Sequence, residues 1–121
     1  MIIVDTSIWV DHFRRDDPTL RALISDEDVL LHPYVFGELL LAGLPAKAEI
    51  SRILLELAVA PVGSSDEANA FIEWASLAGT GVGYVDVHLL LSARHVADGR
   101  VLTRDRRLQE QAERLGVNYP P

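Results

Sequence analysis

The 121-residue sequence has no cysteine, a single lysine at Lys47 and few aromatic side chains, 7% of the total. Without cysteine there is no disulfide and no thiolate metal site, so any bound metal must take nitrogen or oxygen ligands. The same absence suits a reducing compartment. No apolar run reaches the roughly 18 to 20 residues that cross a bilayer, and the amino terminus lacks a basic segment leading into an apolar stretch and a small-residue cleavage site. These features predict a cytoplasmic protein with no membrane partner. Repeats, linkers and low-complexity segments are missing as well.

What remains is an ordinary globular composition, 49% hydrophobic and 24% charged, in a chain with material for one core; residues 1–121 are expected to form a single domain. The net charge of −7 opposes a nucleic-acid partner, because phosphate binding normally needs a positive face. That opposition weakens if four of the 18 acids converge on a cation, since the rest of the surface is then nearer neutral. The basic residues are also unevenly placed. Arg104, Arg106 and Arg107 flank Asp105, and Arg14 and Arg15 follow Asp5, although each taken alone is equally a solvated helix-surface residue.

The β-branched run Ile2-Ile3-Val4 ends at Asp5 and passes through Thr6-Ser7 into the helically spaced segment Ile8 to Phe13. Asp17-Pro18 opens a second helix carrying Leu20, Leu23 and Ile24, and Val29-Leu30-Leu31 supplies a second strand. His32-Pro33 restarts a helix through Phe36 and Leu41 that Gly43 and Pro45 stop; another helix spans about Lys47 to Leu57, before the apolar stretch Ala58 to Val62. Ser64 to Glu67 reads as a capped start, with Phe71, Trp74 and Leu77 on the helix's inner face. After the glycine loop Gly79 to Gly83, a helix is expected from Asp86 to about Ala97, then a strand over Arg100 to Thr103. Asp105 opens the last helix, and Val117 to Tyr119 suits a final short strand. Alternating strands and helices of these lengths predict an α/β fold: a three-layer α/β/α sandwich around a mainly parallel sheet.

In such a sheet, ligands bind beyond the carboxyl ends of the strands. Asp5 and Asp105 fall there, and Asp86 opens a helix after the glycine loop. Each alone has an alternative reading as a helix cap on orphan amides. Glu38 is different: it interrupts the apolar helix Val35 to Leu41, where a solitary carboxylate is costly to bury. Carboxylates brought together repel one another unless a cation offsets them. Mg²⁺ or Mn²⁺ suits an all-oxygen site, and such an ion can activate water, orient a scissile phosphate and offset charge on the attacking and leaving oxygens.

The motif order Ile3-Val4-Asp5-Thr6-Ser7, Gly37-Glu38-Leu39, Gly83-Tyr84-Val85-Asp86 and Leu102-Thr103-Arg104-Asp105 resembles the PIN-domain nucleases, and most closely the VapC-type toxins of toxin–antitoxin pairs. The resemblance covers nearly the whole chain. It implies that Asp5, Glu38, Asp86 and Asp105 form the acidic metal site, supported by the hydroxyls of Thr6 or Ser7 and Thr103. It further implies Mg²⁺- or Mn²⁺-dependent endoribonuclease activity on an RNA such as transfer or ribosomal RNA, homodimerisation, and inhibition by a cognate VapB-type antitoxin. Arg104, Arg106 and Arg107 are then candidate phosphate contacts.

Competing patterns are weaker. His88 and His95 are spaced to share a helix face, but neither they nor His12 and His32 complete a metal-ligand pattern. The glycine loop lacks dinucleotide spacing and a P-loop lysine. Trp9, Phe13, Phe36, Phe71 and Trp74 have helical spacing that suits packing better than base stacking. A phosphoacceptor or phosphatase domain would also gather acids at strand ends, but Lys47 is far from these motifs. A PIN-like module that binds RNA or protein without cutting is the remaining alternative; loss of an acid is its usual sign, and all four are present.

Overall fold

Every residue of the first strand, β1 (Ile2–Val4), is buried, and it lies in the middle of the sheet in the computed structural model, which describes residues 1–121. A continuous apolar β-branched run is the pattern of a strand covered on both faces. It is followed by α1 (Thr6–Arg14), α2 (Pro18–Ser25), β2 (Val29–Leu31), α3 (Pro33–Leu41), α4 (Lys47–Leu54), β3 (Ala58–Val59), α5 (Ser65–Trp74), α6 (Tyr84–His95), β4 (Arg100–Leu102) and α7 (Arg106–Arg114). The four strands pair in parallel in the order β3-β2-β1-β4. Ile3 stands opposite Leu30 on one side and Val101 on the other. The architecture is the expected three-layer α/β/α sandwich around a parallel sheet.

The chain builds β1, β2 and β3 outward in one direction and then crosses back to lay β4 on the far side of β1. The reversal leaves a switch point between β1 and β4, the place where open parallel sheets receive ligands at their carboxyl ends. Val117 to Tyr119 adds only a bridge to this edge, from Asn118 to Val101, instead of a full strand.

Local chemistry accounts for most helix starts. The Asp17 carboxylate accepts from the amides of Thr19 and Leu20, with Pro18 in the first helical position. Ser64 and Glu67 form a reciprocal capping box. Three details differ from expectation, the first of them at the site. Helix α6 begins at Tyr84, two residues before Asp86, because the Asp86 carboxylate reaches back to the Gly83 amide at 3.0 Å from inside the first turn. Helix α5 ends at Trp74, whose side chain is 65% exposed and not on the inner face; Phe71 and Leu77 are buried as predicted. Helix α4 stops at Leu54, short of the expected Leu57.

The candidate active site

Asp5 is the first residue after β1 and caps α1, its Oδ1 accepting from the Thr6 amide at 2.8 Å. Its other oxygen, Oδ2, accepts from the Thr103 hydroxyl at 2.7 Å and from the Ser7 hydroxyl at 3.3 Å. Thr103 is fully buried just past β4 and also accepts from the Asp105 amide at 3.0 Å. One hydroxyl thus ties the two strand ends at the switch point together, and the Asp5 amide donates to the Leu102 carbonyl at 2.9 Å beside it. Asp105 caps α7 through a 3.1 Å bond from the Leu108 amide and is itself exposed. Glu38, half-buried on α3, accepts at 2.6 Å from the Thr6 hydroxyl, so the acid that breaks the apolar helix has its partner.

The four acids feel one another's charge. Burial pushes the Asp5 carboxyl above its ordinary value; hydrogen bonds from Thr103, Thr6 and Ser7 oppose the rise, and the charge of Glu38 adds to it. Burial raises Asp86 as well, against the Gly83 amide and together with the charges of Asp5, Asp105 and Glu38. Three carboxylates act on the fourth.

The donor set is therefore entirely oxygen and short of positive charge, which fits a hard divalent cation. No three of the acidic and histidine side chains stand at chelating spacing. A cation that keeps several waters suits so open a set.

The arginines divide. Arg104 is committed to ion pairs with Asp11 and, at 2.9 Å, with Asp17. Arg106 and Arg107 are exposed and form no ion pair, and the Arg107 side chain passes against Gly81, where a Cβ would collide with it at 2.6 Å. The histidines do not share a face: His88 is 1% exposed, whereas His95 lies at the surface 3.4 Å from Glu67.

His32, Tyr34 and Tyr84 were not singled out for this site from the sequence, whereas His88 stands two positions from Asp86 and reads from the sequence as able to adjust the site's charge. His32 is completely buried and caps α3, its Nδ1 accepting from the Tyr34 amide at 3.0 Å. His32, Tyr34, Tyr84 and His88 form one aromatic cluster. The available signal was spacing: Tyr34 precedes Glu38 by four residues and Tyr84 precedes Asp86 by two.

A parallel α/β sandwich with acids gathered at the switch point defines a class of proteins, and the sequence comparisons identify it. The PIN domain family model matches residues 2–114. The chain is 37% identical over 117 residues to ribonuclease VapC32 of Mycobacterium tuberculosis, in the CDC 1551 / Oshkosh and H37Rv strains alike, covering 97% of this chain and 94% of the relative. The crystal structure of PAE2754 from Pyrobaculum aerophilum shares the fold, with a TM-score of 0.61 and 14% identity over 93% of this chain and 79% of that one. The chain belongs to the PIN-domain family, and within it to the VapC type.

Proposed function

We propose that the chain acts as one domain, a divalent-cation-dependent endoribonuclease of the cytoplasm and the toxin of a toxin–antitoxin pair. The observation that carries this reading is the tie at the switch point, where the Thr103 hydroxyl joins Asp5 to the Asp105 turn and the Thr6 hydroxyl joins Glu38 to the same corner, while burial first and then the charges of the other three acids raise Asp86; such a set suits a cation and a phosphodiester better than any neutral ligand. The 37% identity to a ribonuclease over nearly the full chain supports it.

Asp5, Glu38 and Asp86 would hold the ion, with Asp105 assisting from the exposed edge. When bound, Mg²⁺ or Mn²⁺ supplies positive charge against the phosphate and makes water a better nucleophile. Thr103 and Ser7 fix Asp5 Oδ2, the Thr6 amide fixes its Oδ1 and the Thr6 hydroxyl fixes Glu38, so the carboxylates keep their aim when substrate arrives. Arg106 and Arg107 are free to contact RNA phosphates; Arg104 does so only by leaving Asp11 and Asp17.

Helices α3 and α4 close on one another through Phe36, Leu39, Leu44, Ile50 and Leu54. Leu41 and Leu55, near the ends of these helices, are 86% and 70% exposed, as expected of surfaces covered by an antitoxin segment or in a homodimer. A non-cutting module is favoured by one feature, the lack of a preformed chelate. Calorimetric titration of Mg²⁺ and Mn²⁺ into the wild type and Asp86→Asn, beside cleavage assays on transfer and ribosomal RNA, tests the reading. Binding and cleavage lost together in the variant support it; cleavage that persists in EDTA contradicts it.

A further inference from the structure

Two half-exposed aromatic rings lie on the two helices that carry Glu38 and Asp86. Tyr34 and Tyr84 are 40% and 47% exposed, and both pack edge-to-face on the buried His88, at 4.7 and 5.0 Å between ring centres. His32 supports Tyr34 from below at 5.1 Å, and the Tyr84 hydroxyl donates to Asn69 Oδ1 at 3.2 Å. Both rings are thereby anchored, one in the first turn of α3 and the other in the first turn of α6. Tyr34 and Glu38 share a stripe of α3 at a spacing of four, and Tyr84 lies in the turn where Asp86 holds the Gly83 amide. The exposed Trp74 offers a contrast, because Arg94 already covers its ring at 4.5 Å.

The charge balance says what these rings would hold. With a net charge of −7 and Arg104 held in ion pairs, the chain offers the RNA backbone only a small positive surface, with Arg106 and Arg107 its free cations near the site. Rigid aromatic faces bind nucleobases without needing that charge, and only unpaired bases offer a free face. We propose that Tyr34 and Tyr84 form a stacking platform that holds an unpaired RNA base next to the phosphodiester at the acidic site. The platform rests on the nuclease reading and assigns base contact to these two rings. It also makes binding depend weakly on salt, because few phosphate contacts are involved.

The test is binding by the full chain in EDTA, which removes cleavage from the readout. Single-stranded oligoribonucleotides carrying 2-aminopurine report stacking by fluorescence quenching, and the same strands in a duplex serve as the comparison. Tyr34→Ala and Tyr84→Ala should each weaken single-strand binding roughly tenfold and reduce the quenching, while Tyr34→Phe and Tyr84→Phe keep both within about twofold. Thermal melts of each variant check the fold. Alanine variants that bind and quench like the wild type overturn the platform and leave the nuclease reading intact, as does equal loss in the phenylalanine variants. Wild-type protein that binds no RNA in EDTA overturns the platform, and the nuclease reading is judged separately by cleavage in Mg²⁺ or Mn²⁺. A preference for the duplex overturns the platform alone.

Discussion

Asp5 meets two opposed demands. Its carboxylate is buried, which favours the protonated form, yet the proposed chemistry needs it ionised beside Glu38. Folded values raised above the ordinary carboxylate range for Asp5 and Asp86 mean that their contribution to metal-free stability is full at acid pH and lost as pH rises through the raised values. Mg²⁺ or Mn²⁺ should therefore raise the melting temperature most near neutral pH and progressively less on acidification; equal shifts at every pH would count against the acids as ligands. Asp5→Asn should abolish metal-dependent cleavage while leaving the metal-free melting temperature unchanged or higher, since it removes a buried charge from a repelling group. Thr103→Val loses the bond to Asp5 and the acceptor for the Asp105 amide together, and roughly a 10- to 100-fold drop in cleavage is expected, with Thr103→Ser close to wild type.

At the scale of elements, α3 depends on an imidazole for its cap. Burial and the neighbouring His88 hold the His32 pKa down to about 4, so the neutral ring that accepts from Tyr34 is the folded form. A histidine with a depressed folded value stabilises above its ordinary range and loses that contribution as pH falls from about 6.5 through about 4. Acidification across that window should cost about 3 kcal/mol of stability through this residue. His32→Asn, which retains a capping oxygen, should flatten the fall in urea midpoint over the same window; an unchanged pH profile would contradict the assignment. Much of this level was legible in the sequence. Asp5 and Asp105 could be placed because an apolar strand, an acid and a helix start follow in immediate succession, and Glu38 because it breaks an apolar helix. The offset at Asp86 was not legible, since a glycine cap leaves no side-chain mark on the boundary. Trp74 was misplaced because its partner, Arg94, is twenty residues on, and Arg104 because the acids that hold it, Asp11 and Asp17, lie on the far side of the fold's longest crossover. The packing of His32 on His88 is likewise a product of topology, not of local sequence.

For the whole molecule, the order β3-β2-β1-β4 matters more than any single element, because it sets Asp5 and Asp105 side by side across the switch point. The strand at its centre is correspondingly sensitive: Ile3 is fully buried, and Ile3→Ala should cost about 2 to 5 kcal/mol in chemical denaturation. The opposite expectation holds for the outer apolar face. Leu41→Glu and Leu55→Glu should leave cleavage intact while weakening self-association or antitoxin binding, as read by sedimentation and by inhibition of cleavage. The central claim, that four carboxylates at this switch point cut RNA with a divalent ion, is tested most directly by incubating purified protein with total cellular RNA in Mg²⁺, in Mn²⁺ and in EDTA beside Asp5→Asn, and sequencing the fragment ends. Discrete fragments that require the ion and vanish in the variant are the predicted result; intact RNA under every condition with folded protein, or identical fragments from Asp5→Asn, would contradict it.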